Sequence, residues 1–136
     1  MGVKTKDEYI ESLRQMQPTA YMGGEKITDI VDNPRLRPGI EATGATYELA
    51  QMDQYRDLMV THSPLIDEPV SRFTLPPGSI EDLVARVKIN RALGNWVGTC
   101  HQRCTGLDCL SALSIVTYDI DQKHNTYFKN RVNRSK

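Results

Sequence analysis

The sequence has few aromatic residues, no excess of charge of either sign and no long apolar run. Aromatic side chains make up 7% of the 136 residues, and 17 basic residues balance 17 acidic ones. A net charge of zero gives no long-range field that would attract nucleic acid or an anionic membrane, although a small anionic ligand stays compatible with it. No apolar stretch approaches the about 20 residues of a membrane-spanning helix, and residues 1–7 lack a secretory apolar segment. We therefore expect a cytoplasmic protein.

Cysteine is scarce as well, and the three thiols do not form a disulfide framework. An odd number of cysteines is typical of a reducing compartment, where thiols stay available for metals. The sequence has no glycine-rich phosphate loop, so Gly23 and Gly24 predict a turn. With 39% hydrophobic residues, the chain can bury one core, and we expect residues 1–136 to form a single domain.

The most informative feature that the sequence does contain is the pair Cys100 and Cys104. If this segment is helical, thiols four residues apart share one face, with Cβ atoms roughly 5–6 Å apart. That separation suits two corners of a metal cluster better than a redox dithiol, which more often has a two-residue gap. A zinc or iron–sulfur site needs about four ligands, and we expect Cys109 and His101 to point elsewhere. The other ligands would come from outside this segment; alternatively, the thiols are inert packing groups.

The amino-terminal half predicts helices with one small hairpin. Thr5 and Glu8 have the spacing of a capping box ahead of a short amphipathic helix. Two extended runs, 20–22 and 27–31, flank a Gly-Gly-Glu turn and predict the hairpin. Two further helices of modest length are predicted over 40–51 and 54–60.

The carboxyl-terminal half also predicts helices. Proline-rich residues 62–78 are expected to be an irregular crossing. Ser79 is a strong helix cap, and the apolar spacing after it predicts a helix that reaches about Trp96. Residues 107–120 are expected to form a largely buried helix, and 121–133 a more polar last element. The fold class predicted from these patterns is mainly α.

Several separated segments resemble a known enzyme family. Segments 8–14 (EYIESLR), 21–27 (YMGGEKI) and 32–38 (DNPRLRP) are similar to the amino-terminal region of the 4-hydroxyphenylacetate 3-hydroxylase superfamily of flavoproteins. Segments 46–50 (TYELA) and 118–123 (YDIDQK), together with the CxxxC pair, resemble its 4-hydroxybutyryl-CoA dehydratase branch. The similarity covers nearly the whole chain. The cysteine pair separates this branch from the monooxygenases, which use flavin without a metal cluster.

The resemblance implies an enzyme that contains FAD and a [4Fe-4S] cluster, removes water from 4-hydroxybutyryl-CoA and isomerises vinylacetyl-CoA. By position, Cys100 and Cys104 match two cluster ligands, and Gln102 matches an active-site glutamine expected to act as a catalytic residue near the substrate. Arg91 matches a family arginine, which we interpret as a cofactor-binding residue. His101 and Cys109 depart from the residues that we expect at their positions.

The resemblance also implies that most of the active site lies in sequence that this chain does not contain. The family fold is similar to that of acyl-CoA dehydrogenases, in which a β-domain and a carboxyl-terminal helical domain follow the first helical domain. We therefore expect the chain to be inactive and without a stably bound cofactor by itself. Its expected partners are the remaining domains or a downstream subunit in a homo- or hetero-oligomer, and an acyl-CoA substrate. Two alternatives stay open: a piece of a flavin-dependent aromatic 3-monooxygenase, and a non-enzymatic helical interaction domain.

Overall fold

Five α-helices and two small antiparallel hairpins make up residues 3–124, the part of the chain that the computed structural model describes. This confirms the mainly α fold class. The predicted last element over 121–133 lies mostly outside the described residues. In chain order, the elements are α1 (Lys6–Met16), β1 (Ala20–Met22), β2 (Glu25–Ile27), α2 (Arg37–Gln51), α3 (Asp53–Met59), β3 (Val60–Ser63), β4 (Glu68–Ser71), a 3-10 helix (Arg72–Thr74), α4 (Ile80–Val97) and α5 (Arg103–His124).

Helix α1 begins with the predicted capping box. The Thr5 hydroxyl accepts a hydrogen bond from the Glu8 backbone N–H at 3.2 Å, and the Glu8 carboxylate accepts one from the Thr5 N–H at 2.7 Å. Two backbone donors at the helix start are thereby satisfied. The capping box of α1 is thus confirmed.

The first hairpin is confirmed, but its second strand lies earlier than predicted. Gly23 and Gly24 adopt φ values of 61° and 83°, the positive values that a two-residue hairpin turn requires. Met22 therefore pairs directly with Glu25, and β2 ends at Ile27. The prediction of a second strand over 27–31 was wrong, because the glycine pair alone makes the turn.

A second hairpin replaces part of the predicted irregular crossing over 62–78. Strands β3 and β4 pair antiparallel, with Val60 opposite Ser71 and His62 opposite Pro69. A two-stranded sheet has only edge strands, and an edge strand tolerates the missing N–H of a proline. The prolines therefore did not prevent strand formation, and the prediction was wrong over these residues.

The hydrophobic core lies where α2, α3 and α4 meet the start of α5. Leu49 and Met59 come from α2 and α3, and Leu93 comes from α4; all three are fully buried. Phe73 of the 3-10 helix and Leu107 of α5 extend the same cluster. The core thus reaches the connection between α4 and α5, which carries the predicted site.

Helix α5 is present as predicted, but the prediction that it is largely buried was wrong. Of its residues 103–124, Leu107 alone is buried, whereas Leu113, Ile115 and Val116 are 52%, 62% and 52% exposed. The cause is geometric, because the core contacts its first turns and no described element covers the rest. No helix within residues 3–124 has the length and apolar character needed to cross a membrane.

Helix α4 begins at the predicted cap and also exposes apolar side chains. The Ser79 hydroxyl accepts a hydrogen bond from the Asp82 N–H at 3.1 Å. One face of α4 faces the core, while the opposite face carries Ile80, Leu83, Val84 and Val87, which are 46–74% exposed. We call these four residues the outer stripe of α4.

Candidate functional site

The connection between α4 and α5, residues 98–102, contains two residues with positive φ. Gly98 ends α4 with φ 66°, and its N–H donates to the Gly94 carbonyl at 3.0 Å. Gln102 has φ 65°, which is uncommon for a residue with a side chain, and its N–H donates to the Cys100 sulfur at 3.4 Å. We call residues 100–104 the thiol loop, since they carry both predicted ligands.

The two thiols do not share a helix face. Cys100 lies in the connection and is exposed, whereas Cys104 lies in the first turn of α5 and is half-buried. The thiols were expected to share a face only if one helix ran through both residues, and that helix is not present. Cys109 is exposed further along α5.

The thiol loop offers two thiols, fewer ligands than a complete metal site needs. Cys104 lines a cleft with Phe73, Asn90 and Leu107 whose volume, about 10 Å³, holds no more than one water molecule. Within residues 3–124, no group of three or more His, Cys, Asp or Glu side chains could hold a metal ion. Two thiols can occupy two corners of an iron–sulfur cluster, which needs about four ligands. The donor set thus fits a cluster to which other polypeptide contributes.

His101 points into the core. Its side chain is 4% exposed, its Nε2 lies 3.0 Å from Asn90 Oδ1, and its ring centroid lies 5.1 Å from that of Phe73. Its carbonyl accepts a hydrogen bond from the Thr43 hydroxyl at 3.3 Å. Burial, together with the positive charge of Arg103, lowers the pKa of His101 below its ordinary value. The lowered pKa favours the neutral form of His101, and its buried Nδ1 has no hydrogen-bond partner among the described residues.

Arg103 also points inward. Its Nη1 donates to the Thr46 hydroxyl at 2.9 Å, and its guanidinium carbon lies 4.4 Å and 4.9 Å from the ring centroids of Tyr47 and Phe73. The ring of Tyr9 in α1 stacks on the Tyr47 ring, with the two centroids 4.8 Å apart. Burial lowers the pKa of Arg103, but a guanidinium stays charged in proteins. This half-buried cation joins α2, the 3-10 helix and α5.

Gln102 and Arg91 occupy different settings. Gln102 is exposed between the two thiols, and its Nε2 lies 3.8 Å from the position that a Cβ on Gly39 would take, so it lies near the start of α2. Arg91 is exposed on α4. Cys100, Gln102 and Cys104 lie within five consecutive residues at the start of α5, and their roles, like that of Arg91, stay predictions.

Sequence reasoning missed the contacts that hold the thiol loop. Segment 46–50 and the cysteine pair were each identified, but nothing in either segment indicates that Thr46 and Tyr47 contact Arg103. The partners lie more than 50 residues apart in the chain, and such a contact has no local signal. The likeness of both segments to the same branch was the one available indication.

Two curated relatives are similar to this chain. The chain is 48% identical over 127 residues to 4-hydroxybutyryl-CoA dehydratase/vinylacetyl-CoA-Δ-isomerase of Clostridium aminobutyricum, a match that covers 93% of this chain and 26% of the relative. It is 31% identical over 86 residues to the oxygenase component of 4-hydroxyphenylacetate 3-monooxygenase of a Geobacillus strain, covering 63% of this chain and 17% of that protein. The chain thus spans about a quarter or less of the length of these relatives.

Solved structures give the same order of similarity. An oxygen-tolerant archaeal 4-hydroxybutyryl-CoA dehydratase from N. maritimus matches with a TM-score of 0.90 and 39% identity, over 97% of this chain and 26% of that one. The oxygenase component of 4-hydroxyphenylacetate 3-monooxygenase in complex with FAD matches with a TM-score of 0.58 and 26% identity, over 68% of this chain and 19% of that one. Residues 5–135 match the family model described as the 4-hydroxyphenylacetate 3-hydroxylase N terminal. This chain belongs to the family of 4-hydroxyphenylacetate 3-hydroxylase amino-terminal regions, and its similarity is stronger to the 4-hydroxybutyryl-CoA dehydratases than to the monooxygenases.

Proposed function

We propose that this chain is the amino-terminal part of an enzyme like 4-hydroxybutyryl-CoA dehydratase/vinylacetyl-CoA isomerase. The observation that carries the proposal is the 48% identity over 93% of the chain to a protein of that name. The TM-score of 0.90 to an archaeal dehydratase over 97% of the chain supports it. A monooxygenase piece is the weaker candidate, since its match covers 63% of the chain at 31% identity and would leave both thiols of the loop without a role.

In this proposal, Cys100 and Cys104 supply two thiolates to a [4Fe-4S] cluster. The exposure of Cys100 and the partial exposure of Cys104 leave the sulfurs accessible to ligands from other polypeptide. When bound, the cluster would supply a Lewis acid and FAD would supply one-electron chemistry. Gln102 presents an exposed amide between the thiols, where it can hydrogen-bond an acyl-CoA substrate. Arg91 is proposed as a cofactor contact from α4.

The remaining domains are proposed as partners of residues 1–136, which form one helical domain of an acyl-CoA dehydrogenase-like fold. The outer stripe of α4 supports this, because four apolar side chains at helical spacing are 46–74% exposed. A contiguous exposed apolar face marks a surface that another chain or domain covers. The chain alone is proposed to be inactive, and the assembled enzyme to be a cytoplasmic oligomer.

A chimera tests the proposal. Residues 1–136 replace the matching amino-terminal quarter of the C. aminobutyricum relative, and iron, acid-labile sulfide and FAD are measured per chain after anaerobic purification. We expect iron, sulfide, FAD and dehydratase activity in the chimera, and loss of iron and activity in Cys100→Ala. Cys109→Ala is the matched control, because Cys109 is also exposed but lies outside the thiol loop.

Other iron and FAD contents of the chimera would favour other functions for the chain. Full iron content in Cys100→Ala would disprove the ligand role of that thiol. FAD without iron would favour the alternative that the chain is a piece of a flavin-dependent monooxygenase. A soluble chimera with neither cofactor would favour a non-enzymatic interaction domain, for which the exposed stripe on α4 is also an argument.

A further inference from the structure

We infer that Arg103 is the positioning residue of the thiol loop: its half-buried guanidinium, stacked against two aromatic rings, fixes the backbone that carries Cys100, Gln102 and Cys104. This inference rests on the proposed function, which gives the loop its role. The inference itself concerns structure alone: it states that the contacts of Arg103 keep the two thiols at a fixed distance and orientation. It can be tested on the chain without a cluster or flavin.

The first argument is that two side chains of the loop contact the core elements. His101 lies 3.0 Å from Asn90 of α4, and Arg103 donates to Thr46 of α2 at 2.9 Å. Cys100 and Gln102 are exposed, and Cys104 is half-buried beside Phe73 and Leu107. The contacts of His101 and Arg103 thus fix the backbone on both sides of Gln102.

The second argument is the backbone conformation at Gln102. A left-handed φ of 65° is disfavoured at a residue with a side chain, because its Cβ lies close to the following carbonyl oxygen. Such a conformation persists only where the surrounding structure fixes it. His101 precedes Gln102 and Arg103 follows it, so their contacts flank the strained residue directly.

The third argument is the chemistry of the Arg103 pocket. The named contacts of its guanidinium are two aromatic faces, at 4.4 Å and 4.9 Å, and the hydroxyl of Thr46, which is 1% exposed. A planar guanidinium can stack on both rings and donate a hydrogen bond at its edge, whereas a lysine ammonium cannot do all three. The site therefore selects arginine and fixes its orientation, together with that of the first turn of α5.

A merely structural Arg103 would affect the stability of the fold, while a positioning Arg103 affects how the two thiols bind one atom together. Phenylarsine oxide separates these roles, because its arsenic forms two As–S bonds with a pair of thiols and releases one water molecule. The binding needs both sulfurs within reach of the same arsenic. Iodoacetamide, which reacts with one thiol at a time, serves as the reference reagent.

The experiment uses the full chain with Cys109→Ser, so that two thiols remain. Phenylarsine oxide affinity is measured for this parent, for Arg103→Lys and for the control Arg14→Lys, in which an exposed arginine paired with Asp32 is changed in the same way. We expect Arg103→Lys to weaken arsenical binding by about 10- to 100-fold, the range seen when groups that orient metal ligands are changed. Its circular dichroism and the number of thiols alkylated should stay at the parent values, and Arg14→Lys should match the parent throughout.

Parent-like arsenical affinity in Arg103→Lys would overturn the inference, and so would failure of the parent to bind the arsenical. If Arg103→Lys does not fold, Thr46→Val decides, since it keeps the shape of the buried side chain and removes only the acceptor of the 2.9 Å hydrogen bond. Weaker arsenical binding in Thr46→Val would support the inference, and unchanged binding would overturn it. Absence of iron from the chimera would count against the proposed function alone, because the arsenical readout does not depend on iron.

Discussion

His101 Nε2 lies 3.0 Å from Asn90 Oδ1, so the side chain next to Cys100 is fixed to the middle of α4. Because burial holds the pKa of His101 below its ordinary value of 6.5, the unfolded chain takes up a proton that the folded chain does not. The free energy of unfolding should be constant above that pH. It should then decrease as the pH falls from 6.5 through the lower pKa of folded His101.

Urea unfolding from about pH 5 to 8 measures this dependence, and His101→Phe should flatten it. Two carboxyl groups also have a lowered pKa, Glu41 through its hydrogen bond with Lys6 and Asp82 through the N–H of Gly78. Their stabilising contribution is lost below their ordinary values of 4.5 and 3.8, which lie under the measured range. A slope that persists unchanged in His101→Phe would contradict the prediction.

Two helical glycines should respond to substitution in opposite directions. A Cβ on Gly44 of α2 would lie 3.1 Å from Lys6 Cε and 3.2 Å from Lys6 Cγ, so Gly44→Leu should push α1 away and lower the free energy of unfolding by about 1–3 kcal/mol. A Cβ on Gly94 of α4 meets no described atom within 4 Å, and Gly94→Ala should raise it by about 0.5–1 kcal/mol. Urea titration measures both. A rise in the free energy of unfolding of Gly44→Leu would show that the contact between α1 and α2 is looser than described, and a fall in that of Gly94→Ala would contradict the second prediction.

Substitutions at Gln102 can separate its backbone from its side chain. Glycine adopts a φ of 65° without strain, so Gln102→Gly should keep the loop and be at least as stable as the parent. In the chimera we expect this variant to retain iron and lose activity, because only the amide is gone. Gln102→Val, whose branched side chain opposes this φ, should lose both. Full activity in Gln102→Gly would remove Gln102 from the catalytic residues.

An exposed and a buried leucine of α4 should contribute to different properties, Leu83 to assembly and Leu93 to stability. Leu83, in the outer stripe, is 50% exposed, so Leu83→Asp should leave the isolated chain folded and reduce its self-association in sedimentation. The same change in the chimera should lower the FAD content, since a charge would face the other domains. Leu93 is fully buried, and Leu93→Ala should lower the free energy of unfolding by about 2–5 kcal/mol. A chimera that assembles normally with Leu83→Asp would show that the stripe is not an internal contact.

Local signals in the sequence predicted the elements that local chemistry determines. Three signals act within a few residues: the capping box of Thr5 and Glu8, the glycine turn and the Ser79 cap. The structure confirms all three. Proline was a less reliable signal. A proline is excluded from central strands but not from a two-stranded hairpin, and Pro69 lies in such a hairpin. Whether a strand is central depends on its neighbours, which the local sequence does not state.

The site was predicted in part for the same reason. Resemblance identified Cys100, Gln102 and Cys104, whose roles stay predictions; the structure places the first two in the connection and Cys104 in the first turn of α5. The helix through both cysteines did not form, since Gln102 adopts a left-handed conformation that no composition rule predicts. The buried contact of Arg103 with Thr46 depends on packing between distant segments, which emerges only from the folded chain.

Helix α4 carries buried apolar side chains on one face and the exposed outer stripe on the other. A polypeptide that covers the stripe would therefore add to the stability of the chain. Binding of a partner to the folded state alone raises the apparent free energy of unfolding in proportion to the logarithm of the partner concentration. The melting temperature of residues 1–136 is therefore expected to rise as a polypeptide that covers the stripe is added, by an amount that grows with its concentration.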